Sequence, residues 1–124
     1  MTTTKQEGNT IMSETDCIFC KIAKGEIPTE AVYEDDNVIA FKDLNPKMPV
    51  HVLIIPKEHY ENLSDDVPEE VLGHVFGAAS KAAAITGIDK SGYRIVSNAG
   101  ADACQSVMHL HVHVIGGEPM GEDL

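Results

Sequence analysis

The stretch Ser106-Val107-Met108-His109-Leu110-His111-Val112-His113-Val114-Ile115-Gly116-Gly117 alternates imidazole with aliphatic side chains through its middle. A period of two is the repeat of a β-strand, so a strand is predicted over Ser106–Ile115. His109, His111 and His113 then share one face, and Leu110, Val112 and Val114 take the other. Along such a strand the outer rings lie about 6.5–7 Å from the central one. Three of the chain's six histidines fall within these five positions. A row of imidazoles on a packed strand suits phosphate, proton or metal chemistry. Alternating histidines can supply nitrogen ligands to zinc, with a fourth position left for water. A neutral imidazole can instead attack phosphorus, provided its second nitrogen is held by a hydrogen bond. Three surface or stacked histidines without a task are the third reading.

Working outward, Asn98 to Gln105 is a Gly/Ala-rich loop that can present backbone N–H groups to an anion at the end of the histidine strand. Gly116-Gly117 permits a tight turn on the other side. Upstream, Tyr93 to Ser97 reads as a strand. Pro68, Glu69 and Glu70 open a long helix whose apolar residues Val71, Leu72, Val75, Phe76, Ala79, Ala82 and Ala83 recur at helical spacing up to Gly87. Val50 to Ile55, closed by Pro56, is apolar on both faces and reads as a central strand. Val38 to Lys42 and Ala31 to Glu34 are shorter strands joined by the polar turn Glu34-Asp35-Asp36-Asn37. Cys17 to Lys24 reads as a short helix with Asp16 as N-cap and Gly25 as its stop. Met1 to Glu14 is polar and without periodicity, a flexible extension preceding one domain over 15–124. Strands, then a helix, then strands favour an α+β fold with an antiparallel sheet.

The chain has 124 residues, enough for one domain. Its net charge of -11 argues against a nucleic-acid polymer as partner, because such a partner demands a basic surface. No apolar run approaches the roughly 20 residues that span a bilayer, and a cytoplasmic location without membrane contact is expected. The three cysteines, Cys17, Cys20 and Cys104, are an odd number and do not read as a disulfide framework.

HLHVHVI followed by GG resembles the signature of the histidine triad (HIT) family, in which histidine alternates with apolar residues. CIFCKI, GEIP, VYEDDNVIAFKDLNP, HVLIIPKEH and NAGADACQSV precede it in the order that family shows, from about Cys17 to Met120. The chain looks most like the Hint branch, the nucleotide phosphoramidases. The resemblance implies a five-stranded antiparallel sheet with one long and one short helix, assembled as a homodimer. The apolar face of Val71 to Ala83 is a candidate dimer interface, and a core-facing helix explains it equally well.

The resemblance also implies the chemistry. His111 is the nucleophile toward the α-phosphorus of a purine nucleoside 5′-phosphoramidate. His113 contacts phosphate, and the His109 carbonyl holds the ring N–H of His111. Ser106 assists protonation of the leaving amine, and Asn98 and Gln105 contact phosphate. Asp43 takes up the ribose hydroxyls, and Leu44 walls the base pocket. The scheme requires no cofactor. Some relatives bind a structural zinc through residues that map to Cys17, Cys20, His51 and His109. The alternative for these residues is a packed cysteine pair with His51 supporting the triad. His59 and His74 read as structural or surface residues. Cys104 stands where relatives usually carry Gly, and Glu118 where they often have Arg, which bears on the leaving group. Competing readings are a dinucleoside polyphosphate hydrolase of the Fhit-like branch, a non-catalytic nucleotide- or zinc-binding module, and a zinc hydrolase using all three histidines.

Overall fold

In a computed structural model, residues 17–123 are described. The expected extension Met1 to Glu14 lies outside them, as does Asp16. The elements in chain order are α1 (Ile18–Ala23), β1 (Ala31–Glu34), β2 (Val38–Lys42), β3 (Val50–Pro56), α2 (Glu69–Thr86), β4 (Tyr93–Val96), a 3-10 turn (Ala101–Ala103) and β5 (Val112–Gly116). The five strands form one sheet in the order β1-β2-β3-β5-β4, and every neighbouring pair is antiparallel. The predicted fold class is the observed one.

The two faces of the sheet are covered unequally. Val38, Ala40, Val52, Ile54, Val112 and Val114 pack against Val75, Ala78, Ala79, Ala82 and Ala83 of α2. The small alanines let the helix lie close to the β-branched face. Of the stripe read from spacing, Val75, Ala79, Ala82 and Ala83 go into the core, Val71 and Leu72 are half-buried, and Phe76 stays 43% exposed while Ala78 is buried in its place. Gly87 ends the helix at φ +84, the left-handed conformation glycine adopts without a Cβ clash. The opposite face carries Ile39, Phe41, Leu53 and Ile55, covered by Phe19 and Ile22 of α1. Cys17, not Asp16, caps α1 among the described residues: its Sγ accepts the Cys20 N–H at 3.3 Å.

β5 is shorter than the alternation predicts. Its pairing with β3 runs from Val50↔Gly116 to Ile54↔Val112. Two residues further β3 reaches Pro56, which has no N–H to give to a ladder. The chain upstream of Val112 leaves the sheet, and Leu110 instead donates its N–H to the Tyr60 carbonyl at 2.6 Å. His109 and His111 thus stand just ahead of the strand and only His113 within it. At the other end, Gly117 has φ +102, and a Cβ there would fall 2.9 Å from Pro49 Cβ. The tight turn expected at Gly116-Gly117 requires glycine at this point.

Candidate active site and candidate metal centre

Departure from the sheet separates the three histidines. His109 is fully buried and His111 is 3% exposed, whereas His113 is half-buried on β5. His111 Nδ1 lies 2.7 Å from the carbonyl oxygen of its neighbour His109. A carbonyl only accepts, so Nδ1 carries the proton and Nε2 has a free lone pair. Burial, first of all, lowers the pKa of His111 below its usual 6.5, and it outweighs the hydrogen bond to the His109 carbonyl, which works in the opposite direction. Phe19 of α1 packs edge-on against the ring at 5.2 Å and 87°. Ser97, at the end of β4, donates its hydroxyl to the His111 carbonyl at 2.8 Å. Sequence reasoning missed both supports: Phe19 stands between the two cysteines, and Ser97 is one residue before Asn98.

His109 presents the opposite tautomer. Its Nε2 lies 2.9 Å from the Pro56 carbonyl and so carries the proton. Its bare Nδ1 faces Cys17 Sγ at 3.3 Å, Cys20 Sγ at 3.5 Å and His59 Nδ1 at 3.2 Å. Cys20 Sγ is also 3.2 Å from His59 Nδ1. These four ligand atoms all lie within 4.8 Å of one another. Zinc bonds of about 2.0 Å to nitrogen and 2.3 Å to sulfur give tetrahedral edges of about 3.3–3.8 Å, so the cluster has the size of a zinc coordination shell. The Cys17 thiol is held well below the ordinary thiol range. The Cys20 hydrogen bond lowers it most, His109 and His59 lower it further, and burial works against them. A thiolate is the state in which cysteine ligates metal. The donor set Cys₂His₂ fits a closed, structural zinc site, and the carbonyl holding His109 Nε2–H is the second-sphere contact such a ligand uses.

His51 is not part of this cluster, contrary to the sequence expectation, and His59 takes its place. The antiparallel register explains the exchange. His51 pairs opposite Ile115, six residues beyond His109 and about 20 Å along the strand direction. His59 follows the end of β3, beside the Pro56 carbonyl that holds His109. His51 instead joins Asp43 and His113. His51 Nε2 is 2.8 Å from His113 Nδ1 and 3.3 Å from Asp43 Oδ2. The ring centroids of His111 and His113 are 5.2 Å apart, closer than an extended strand implies. Burial foremost, then the neighbouring His111 and His51, push the His113 pKa down to about 4. A zinc centre built from all three triad histidines is not formed: the described ligand groups put His109 in one cluster, His113 in another and His111 in neither.

The loop ahead of the histidines also differs from expectation. The Gln105 side chain was expected at phosphate, but its amide is fully engaged inside the protein. Nε2 donates to the carbonyls of Glu61 at 2.7 Å and Val107 at 3.0 Å. Oε1 accepts from Asn62 Nδ2 at 3.1 Å and the Gly100 N–H at 2.8 Å. The backbone N–H groups of Ala103, Cys104 and Gln105 bond back to carbonyls of the same loop. Gln105 therefore shapes the loop, and these four amides do not form the expected anion cradle. Ser106 is exposed at the loop end, Asn98 is half-buried just after β4, and Leu44 stands 97% exposed after Asp43. A cleft of about 540 Å³ opens beside Asp43 and His51, lined also by Lys42, Pro46, Pro49 and Val50.

The HIT domain family model matches residues 24–120. An uncharacterized HIT-like protein of Synechocystis is 50% identical over 106 residues, covering 84% of this chain and 92% of that one. A 14 kDa zinc-binding protein of Zea mays is 41% identical over 124 residues, covering 97% and 96%. Among solved structures, a HIT family hydrolase from Clostridium thermocellum superposes with a TM-score of 0.84 at 48% identity, covering 88% of this chain and 96% of that chain. With the family model spanning most of the chain and the same fold in a relative of nearly half identical sequence, this protein belongs to the HIT family.

Proposed function

We propose that the protein hydrolyses purine nucleoside 5′-phosphoramidates through a covalent nucleotidyl-histidine, with His111 as nucleophile. The observation that carries this reading is the 2.7 Å contact between His111 Nδ1 and the His109 carbonyl. It leaves a bare Nε2 on a buried ring whose pKa is lowered, so the lone pair is present at neutral pH. The lone pair attacks the α-phosphorus, a nitrogen–phosphorus bond forms, and the bond to the leaving amine breaks. The amine leaves with a proton, which Ser106 is placed in sequence to supply. Water then attacks phosphorus, the bond to His111 breaks with its electron pair returning to Nε2, and the nucleoside monophosphate departs. The proton shed by water replaces the one carried off by the amine. Asp43 takes the ribose hydroxyls and His113 a phosphate oxygen; Asn98 and Leu44 complete the nucleotide contacts. The hydrolase name of the Clostridium thermocellum relative agrees with this reading.

Cys17, Cys20, His59 and His109 would hold one zinc ion, which supplies structural anchorage and leaves no open position for substrate. The zinc-binding name of the maize relative supports its presence. The further partner in this reading is a second copy of the chain. A panel of adenosine and guanosine phosphoramidates against a diadenosine polyphosphate tests the activity. Turnover of the former without added metal supports it. Turnover of the polyphosphate alone, or tight nucleotide binding without turnover, overturns it.

A further inference from the structure

The group Asp43, His51 and His113 is governed by a backbone amide outside it. The N–H of Lys47, which can only donate, lies 3.0 Å from His51 Nδ1. Nδ1 is therefore the bare nitrogen of His51, and the single proton of the neutral ring sits on Nε2. A doubly protonated ring would set two N–H groups against each other at Lys47. Burial also disfavours the charged ring. Nε2–H of His51 faces His113 Nδ1 at 2.8 Å and Asp43 Oδ2 at 3.3 Å. Having one proton and the shorter contact to His113, His51 donates to His113 Nδ1. The proton of the His113 ring must then be on its own Nε2.

We propose that His51 is a positioning residue: held by the Lys47 N–H, it fixes His113 as the Nε2–H tautomer, so that His113 meets substrate as a hydrogen-bond donor beside the bare Nε2 of His111. The same proton, lodged between the ligand atoms, keeps metal out of the Asp43–His51–His113 group. The two histidine clusters are thus set in opposite senses by the main chain. The Pro56 carbonyl turns a lone pair of His109 toward the thiols, whereas the Lys47 amide turns a proton of His51 toward His113. The identity of the acceptor as a phosphate oxygen rests on the function proposed above; the tautomer belongs to the resting protein and does not.

The test uses the full ¹⁵N-labelled chain, with long-range ¹H–¹⁵N spectra that report which ring nitrogen bears the proton. The expected result is Nε2–H on His51 and His113, and Nδ1–H on His111. Replacing His51→Gln keeps an N–H donor near the position of Nε2, whereas His51→Leu removes it. The leucine variant should show mixed His113 tautomers and a kcat about 10- to 100-fold lower, and the glutamine variant should recover most of that loss. The same spectra show whether each variant is folded. A proton on His113 Nδ1 in the unaltered protein, an unchanged His113 tautomer in the leucine variant, or a second equivalent of Zn²⁺ shifting His51 and His113 would overturn the proposal. The expected tautomers in a protein that turns over no phosphoramidate would sink the functional reading and leave this one standing.

Discussion

His111 is placed by contacts that act on different parts of the same residue. The His109 carbonyl takes its ring proton, Ser97 holds its carbonyl, and Phe19 packs against its ring. A nucleophile so constrained cannot be replaced by water from the same position. His111→Ala should lower phosphoramidate turnover by about 10⁴-fold or more while leaving the fold intact, read by single-turnover kinetics and circular dichroism. A variant that keeps full activity removes His111 from the mechanism. Gln105 makes the contrasting case, a polar residue in the site's loop whose role is architectural. It is 8% exposed and engaged in four internal hydrogen bonds. At a net value of about 0.5–1.5 kcal/mol each, Gln105→Ala should cost about 2–6 kcal/mol of stability in urea unfolding. Cys104 next to it has φ +61, a conformation that costs residues with a Cβ about 1–2 kcal/mol. Cys104→Gly should therefore leave stability unchanged or raise it by up to about 1 kcal/mol, because the flexibility glycine adds to the unfolded chain offsets part of the relief.

The six residues of α1 are far too few for a helix to persist alone. Two anchors hold it: Phe19 and Ile22 in the second core cluster, and Cys17 and Cys20 in the candidate zinc site. Chelation, or Cys20→Ser, should remove one equivalent of zinc per chain and cost about 2–4 kcal/mol, lowering Tm by roughly 10 °C or more. Zinc content that survives Cys20→Ser would place the metal elsewhere. Much at this scale was legible in the chain. Alternation marked β5, a both-faces apolar run marked β3, and helical spacing marked α2. Three features were not legible, each for a reason lying outside the local pattern. β5 loses its first residues because Pro56, on a different strand, cannot pair with them. Phe76 shares the helical spacing of its neighbours but faces solvent, because close packing on the sheet prefers Ala78. His59 joins the metal cluster because antiparallel pairing puts the end of β3, and not its beginning, beside His109. Once β3 and β5 are known to be antiparallel, that exchange of His51 for His59 follows from counting residues.

Across the whole molecule the sheet keeps its histidines on the less thickly covered face, away from α2, and their protonation is coupled to folding. His113 has a pKa near 4 in the folded chain against 6.5 when free, because burial and the neighbouring imidazoles oppose its charge. Above pH 6.5 the ring is neutral folded or unfolded and adds no pH dependence. Between about 6.5 and 4 the unfolded chain binds a proton that the folded one refuses, so each step down in pH favours unfolding. Below about 4 both states are protonated and this contribution levels off. The lowered pKa of His111 acts in the same direction. Zinc release in acid would add to the loss, so the decisive comparison is with His113→Asn, which keeps the metal ligands. The unaltered protein should lose stability relative to His113→Asn as pH falls through this window, read as a narrowing or inversion of their Tm difference. The rate should fall on the same acid side, with an acid limb of kcat/KM whose midpoint lies below 6.5. A Tm difference that stays constant from pH 7 to 4 would mean that His113 enters the fold with an ordinary pKa, and that burial on this face does not set its charge.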